Sequence, residues 1–115
     1  MVRPLEGIRI LDLTSGPAGG IATMILADFG AEVLMIERPC IDSLMAMPAS
    51  RMWRRGKRTL PLDLSTEDGL ASLDDLCAGA DVLICNWRFA ALVRKRLNYA
   101  SLHARHPHLI LCHIS

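Results

Sequence analysis

The sequence of 115 residues lacks a charge excess, a long apolar run and an apolar N-terminal signal region, and each absence excludes a class of protein. Its 13 Lys and Arg against 12 Asp and Glu leave a formal net charge of +1. Dedicated nucleic-acid and membrane-surface proteins carry a larger basic excess, and a transmembrane helix needs roughly 18 uninterrupted apolar residues. We therefore expect a cytoplasmic protein whose partners are neither nucleic acid nor membrane.

Motifs for metal binding and for nucleophilic catalysis are also missing. The histidines match no zinc-ligand spacing, and no C-x-x-C, H-E-x-x-H, Walker or Ser-His-Asp pattern is present. We therefore predict no metal site. Three of the cysteines lie in apolar runs, and free thiols buried in a reducing cytosol are the expected state of Cys40, Cys77, Cys85 and Cys112.

Strand-like and helix-like segments alternate along the chain. Apolar alternation and branched residues predict five strands, at 7–13, 31–37, 58–64, 80–85 and 108–114. Helical spacing of apolar residues predicts helices at 21–29, from 65 onward, at 89–97 and at 99–105. The first strand, glycine turn, helix and strand form a βαβ unit, so its strands should be parallel. The pattern predicts an α/β fold with an open, mostly parallel sheet and flanking helices.

Local signals add detail to this prediction. Gly30 is placed to end the first helix as a C-cap, and Ser65 and Asp68 have the spacing of a capping box. Pro61 favours an edge position for the third strand. Residues 38–57 have no clean period and are predicted to form a long loop.

The glycine-rich turn after the first strand is the first candidate for ligand binding. Backbone N–H groups in such a turn, with a helix N-terminus behind them, can bind a phosphate. Gly16, Gly19 and Gly20 do not match the G-x-G-x-x-G pattern of dinucleotide-binding proteins. A tight turn without a ligand is therefore the alternative.

Charged and aromatic residues at the predicted strand ends are the next candidates. Glu37 could hold a ribose hydroxyl, while Arg38 indicates a phosphorylated ribose, as in NADP or coenzyme A; a solvated charge is the alternative. Trp87 could stack on an adenine and Arg94 could meet a phosphate, or Trp87 could be a core residue at a helix start. The basic run 51–58, with its one tryptophan, could grip phosphates, bind single-stranded nucleic acid by stacking, or be a solvated loop.

Several stretches occur in the order typical of one family. They are PLEGIRILDLT (4–14), ILADFGAEVLMIERP (25–39), RGKRTLPLDLSTEDG (55–69), ADVLICNW (80–87) and the closing HPHLILCHIS (106–115). Together they resemble the N-terminal part of the family III CoA-transferases, which include formyl-CoA transferase, carnitine CoA-transferase and α-methylacyl-CoA racemase. The resemblance spans essentially the whole chain.

The resemblance implies a Rossmann-like segment that binds coenzyme A, without a metal, over residues 1–115. It also implies that this segment is incomplete, since in the family a C-terminal return completes the sheet and two chains interlock. The partners would be an acyl-CoA, a carboxylic acid acceptor, and a second copy or further polypeptide. The positions that match family contacts with coenzyme A are Ala18, Arg38, Leu62, Asn86, Trp87, Ala91 and Arg94.

Catalysis in the family depends on residues well downstream of these motifs. Transferases use an aspartate that forms a mixed anhydride with the acyl group and then an aspartyl-CoA thioester, and racemase-type members use a histidine and an aspartate as acid and base. We assign no catalytic residue, because neither position is matched by Asp12, Asp63, Asp74, Asp75 or Asp81. A racemase-type segment, a catalytically inactive CoA-binding or interaction module, and an NADP-type domain are the alternatives; the missing G-x-G-x-x-G disfavours the last.

Overall fold

The structure is a computed structural model that describes residues 2–38 and 50–115, and its described residues form one parallel α/β sheet with helices on both faces. The strands are β1 (Arg9–Asp12), β2 (Glu32–Glu37), β3 (Lys57–Pro61), β4 (Val82–Cys85) and β5 (Ile110–His113). The helices are α1 (Pro17–Asp28), α2 (Ser50–Trp53), α3 (Glu67–Ala78), α4 (Phe89–Arg94) and α5 (Tyr99–Arg105). The predicted α/β class is confirmed.

The strand order is β3-β2-β1-β4-β5, and every neighbouring pair is parallel. The chain starts in the middle of the sheet, moves outward to β3, and then crosses back to β4. Such a reversal of direction puts adjacent loops on opposite sides and opens a crevice at the carboxyl ends of the central strands. β3 lies at an edge of the described sheet, as Pro61 predicted.

Two apolar clusters hold the helices against the sheet. The larger one joins the strands to α3, α4 and α5 through fully buried side chains such as Leu73, Leu83 and Leu102. The smaller one lies on the opposite face, where Leu26 and Ala27 of α1 pack on Ile10, Val33 and Ile84. No helix in the described ranges 2–38 and 50–115 is both long enough and apolar enough to span a bilayer.

Two predicted helix starts were wrong by a few residues. α1 begins at Pro17 rather than at residue 21, because proline suits the first helical turn and Gly16 adopts φ 84°, which favours glycine. The cap of α3 is Thr66, whose side chain accepts a hydrogen bond from the Gly69 N–H at 3.0 Å. Ser65 instead donates its hydroxyl hydrogen to Asp63. Gly30 follows the end of α1 with φ 106°, in agreement with the predicted stop.

The predicted loop and the cysteines gave mixed results. Part of the segment 38–57 is helical, as α2, while residues 39–49, which include Cys40, lie outside the described residues. Cys77 and Cys85 are buried free thiols, as expected. Cys112 was expected to be buried but is exposed, because its side chain projects from the same face of the edge strand β5 as Ile110, which is 63% exposed.

Candidate functional site

An open cleft of about 1020 Å³ lies at the carboxyl ends of the central strands. Each part of its wall follows a strand: the turn after β1, the residue after β2, the loop after β3 and the segment that leads from β4 into α4. Parallel pairing brings all these carboxyl ends to one edge of the sheet. The lining residues are Ser15, Arg38, Asp63, Leu64, Ser65, Asn86, Trp87, Arg88, Ala90, Ala91, Arg94 and Lys95.

The cleft is strongly electropositive. Its lining has one carboxylate, that of Asp63, against four cations, so its formal charge is +3, whereas the whole chain carries +1. Hydrogen bonds from the Ser65 hydroxyl and N–H hold the pKa of Asp63 below its ordinary value, which keeps it ionised. The Lys95 ammonium donates to the Leu64 carbonyl at 2.9 Å and so links α4 to the loop after β3. The cations are Arg38, Arg88, Arg94 and Lys95.

Trp87 is both a core residue and part of the cleft wall. It is 9% exposed, and its indole N–H donates to the Leu13 carbonyl at 2.9 Å. The Arg38 guanidinium lies over the ring, 5.3 Å from its centroid, within the range of a cation–π interaction. Trp87 is therefore a core residue, as one of the two sequence interpretations had it, and Arg38 covers one face of its ring; adenine stacking stays a prediction.

Asn86 connects the end of β4 to the turn after β1. Its side-chain oxygen accepts from the Ser15 N–H at 3.2 Å, and its amide nitrogen donates to the Ser15 carbonyl at 2.7 Å. His113 adds support from β5, since its ring Nε2 lies 2.6 Å from the Trp87 carbonyl oxygen. The segment 86–87 is thus fixed from both neighbouring strands.

The structure brings together most of the residues that the family resemblance pointed to. Arg38, Asn86, Trp87, Ala91 and Arg94 all line the cleft. Among the described residues the other two lie elsewhere: Ala18 is exposed in the first turn of α1, and Leu62 is half-buried against the larger apolar cluster.

Sequence reasoning did not assign Ser15, Arg88 or Lys95 to the site. A signal for Lys95 was present, because residues four apart share a helix face and Ala91 was already a candidate. Arg88 directly follows Trp87, so the strand-end rule that selected Trp87 applied to it as well.

Several side chains of the basic run 51–58 pack or pair within the fold. Trp53 is 5% exposed and packs against Gly20 of α1, so the proposed stacking surface for single-stranded nucleic acid was wrong. Arg54 pairs with Glu37, which occupies the carboxylate that an NADP-type site would use for a ribose hydroxyl. Arg55 pairs with Asp28 at 2.7 Å.

The histidines are likewise engaged within the fold. His106 Nε2 lies 2.9 Å from Asp74 Oδ1, which also accepts from Arg105 Nε at 2.9 Å. Burial alone would raise the pKa of Asp74, but these hydrogen bonds outweigh it and hold the pKa below its ordinary value. In the part of the chain that the structure describes, no three His, Cys, Asp or Glu side chains come together as a set of metal ligands.

Comparison with known proteins identifies the family. The model of CoA-transferase family III matches residues 5–115. The chain belongs to CoA-transferase family III.

Relatives within this family have different activities. The family III chain is 33% identical over 129 residues to succinyl-CoA:glutarate CoA-transferase of Homo sapiens, which covers 99% of this chain and 28% of that protein. It is 34% identical over 111 residues to alpha-methylacyl-CoA racemase of Mus musculus, which covers 96% of this chain and 28% of that protein. The chain thus spans less than a third of the length of these relatives.

Solved structures agree on the fold. A CAIB/BAIF family protein from Brucella suis superposes with a TM-score of 0.88 at 33% identity, over 100% of this chain and 34% of that one. Rv3272 from M. tuberculosis gives a TM-score of 0.88 at 30% identity, over 97% of this chain and 34% of that one. A short chain dehydrogenase/reductase family protein shares the fold alone. It gives a TM-score of 0.53 at 24% identity, over 89% of this chain and 49% of that one.

Proposed function

We propose that the cleft binds the nucleotide end of coenzyme A in a family III acyl-CoA:carboxylate CoA-transferase. The observation that carries this proposal is the group of four cations around Trp87 at the carboxyl ends of parallel strands. Coenzyme A carries a diphosphate and a ribose phosphate, so a cleft with a formal charge of +3 complements it. The relatives support the same substrate class, since succinyl-CoA:glutarate CoA-transferase and alpha-methylacyl-CoA racemase are both named for CoA thioesters.

The positions of the cations suggest which phosphate group of coenzyme A each of them binds. Arg38 follows β2, the strand whose end meets the ribose in proteins of this topology, and a guanidinium can fork onto two phosphate oxygens. Arg94 and Lys95 lie at the end of α4 across the cleft. We assign the ribose phosphate to Arg38 and the diphosphate to the pair on α4. The adenine would stack beside Arg38 and Trp87.

Group transfer would then use an aspartate outside residues 1–115. Its carboxylate attacks the acyl-CoA thioester and expels the CoA thiolate, which leaves a mixed anhydride. The thiolate attacks the aspartyl carbonyl, releases the acyl group as a carboxylate and forms the aspartyl-CoA thioester. Two of the described aspartates are held in ion pairs: Asp12 pairs with Lys57, and Asp74 with Arg105. An acceptor acid would complete the cycle by the same two steps in reverse.

Titration with coenzyme A and with dephospho-coenzyme A tests the binding proposal. We expect the wild-type chain to bind coenzyme A about tenfold more tightly, since a charge-assisted hydrogen bond contributes roughly 1.5–3 kcal/mol. Arg38→Met should abolish this preference. Arg9→Met is the matched control, because Arg9 is exposed and pairs with Glu32 at 3.6 Å at the opposite ends of the strands. Equal wild-type affinity for the two ligands would contradict the assignment of Arg38.

A racemase-type activity is the second candidate, and the relative from Mus musculus favours it. Both reactions place a CoA thioester in the same cleft, so binding alone does not separate them. The full-length protein should be assayed for CoA transfer between two carboxylic acids and for epimerisation of a 2-methylacyl-CoA. Transfer without epimerisation supports the first candidate, and the reverse result supports the second.

We also propose a setting and partners for the protein. The buried free thiols of Cys77 and Cys85 suit the reducing cytoplasm.

On the face of the sheet that carries α1, Ile25 and Phe29 are 45% and 51% exposed, and Ile110 of β5 is 63% exposed. We propose that a second copy or further polypeptide covers these residues in the working enzyme, as the family resemblance implies.

A further inference from the structure

A buried ion pair lies beneath the first turn of α1. Lys57, at the start of β3, extends along the sheet and reaches Asp12, at the end of β1, with 3.3 Å between Nζ and Oδ2. Their side chains are 0% and 1% exposed. Burial lowers the pKa of Lys57, and the charge of Asp12 opposes this effect. A buried pair is weak evidence for stability, because desolvation offsets much of its attraction, so its place in the fold requires another explanation.

The pair is linked to the turn after β1 by a complete set of hydrogen bonds. Asp12 Oδ1 accepts from the Thr14 N–H at 2.8 Å and from the Thr14 hydroxyl at 2.6 Å. Asp12 Oδ2 accepts from the Thr23 hydroxyl at 2.7 Å and from Lys57. Lys57 Nζ also donates to the Gly20 carbonyl at 3.1 Å. One end of the segment 14–20 is therefore bonded to Asp12 and the other to Lys57, and these two side chains are bonded to each other.

Close packing makes this segment sensitive to the pair. A Cβ atom at Gly19 would lie 2.1 Å from Thr14 Oγ1, and one at Gly20 would lie 2.7 Å from Trp53 Cδ1. Hydrogens in place of side chains let α1 approach Thr14 and Trp53 closely, and the Gly20 carbonyl is within reach of Lys57. The next residue after Thr14 is Ser15, which lines the cleft and whose backbone is bonded on both sides by Asn86.

We propose that Lys57 and Asp12 are positioning residues that fix the segment 14–20, the turn after β1 and the first turn of α1, against the end of β4 and so set the shape of the coenzyme A cleft. This inference rests on the proposed function and extends it to two residues that do not line the cleft. The path runs from Lys57 to Asp12, to Thr14 and Ser15, and then to Asn86. A pair that served stability alone would have no need to bond both ends of one ligand-facing segment.

The test uses the double variant Asp12→Asn/Lys57→Met, because removal of one partner leaves an uncompensated buried charge and risks unfolding. The matched control is Asp28→Asn/Arg55→Met, which removes an exposed pair at the other end of α1 with the same change in charge. Coenzyme A affinity, thermal unfolding and amide hydrogen exchange of residues 15–20 are measured for both. We expect about tenfold weaker binding for the first variant, by analogy with the 10- to 100-fold effects of supporting contacts at metal sites, and faster exchange in the segment 15–20. The control should match the wild type in both.

The outcomes separate this inference from the proposed function. Binding and exchange equal to the wild type in a folded first variant would overturn the positioning role. Faster exchange throughout the sheet, instead of in the segment 15–20, would also overturn it, because that result indicates a general loss of stability. If the wild-type chain does not bind coenzyme A, the proposed function fails, and exchange in this segment still decides whether the pair positions it.

Discussion

Replacement of Asn86 by alanine should weaken the fold by an amount that the structure allows us to work out. The substitution removes two hydrogen bonds to Ser15, of 3.2 Å and 2.7 Å. The N–H and the carbonyl of Ser15, which are part-buried, each lose a partner. With about 0.5–1.5 kcal/mol for each bond, the free energy of unfolding should fall by about 1–3 kcal/mol. For a domain of this size that corresponds to a decrease in Tm of about 4–12 °C.

Thermal unfolding followed by circular dichroism measures this effect, and Asn98→Ala is the matched control. Asn98 is the N-cap residue of α5, but its side chain makes no capping hydrogen bond within the described residues. Its loss should therefore lower the free energy of unfolding by less than about 0.5 kcal/mol. Asn86→Asp tests the same contact through the pH dependence of stability. The introduced carboxylate would face the Ser15 carbonyl and be destabilised, so its pKa should rise in the folded state. Stability of this variant should then be highest at acidic pH and fall as pH rises through that pKa. Equal Tm shifts for Asn86→Ala and Asn98→Ala would refute the argument.

Two further predictions follow from exposure. Iodoacetamide at pH 8 should alkylate Cys112 in the folded chain and leave Cys77 unmodified. The reason is that Cys112 is exposed, while burial raises the pKa of Cys77 to about 11. Peptide mapping by mass spectrometry measures the modification, and equal modification of the two thiols would contradict this prediction. Sedimentation velocity at several concentrations should show self-association of the 115-residue chain, driven by the exposed apolar residues Phe29 and Ile110. A compact monomer at all concentrations would contradict it.

The order and type of most elements could be predicted from sequence because they depend on local patterns. Apolar alternation located all five strands, and α5 was predicted at its observed limits of Tyr99 and Arg105. Helix starts failed where composition misled: the glycines and proline of the segment 14–20 are typical of a turn, yet Pro17 suits a first helical position. Strand order was beyond local patterns, since it depends on which apolar faces pack together.

The basic run 51–58 was misjudged because its partners are distant in sequence. Lys57 meets Asp12, Arg54 meets Glu37 and Arg55 meets Asp28, across separations of 45, 17 and 27 residues. A cluster of charges along the chain thus became separate ion pairs in the fold. No periodicity in the sequence encodes such pairs, so the local pattern left phosphate binding, nucleic-acid stacking and a solvated loop open, and burial of Trp53 excludes the stacking surface.

The cleft shows the converse behaviour. Its cations come from three places in the sequence, one after β2, one after β4 and two at the end of α4. Parallel pairing brings these positions to one edge, and the near-neutral chain acquires a cleft with a formal charge of +3. Position relative to the strand ends, rather than the number of adjacent charges, therefore determines which cations line the cleft. By that criterion Arg38 and Arg94 are stronger candidates for phosphate contact than Arg54 and Arg55, whose guanidinium groups already hold carboxylates.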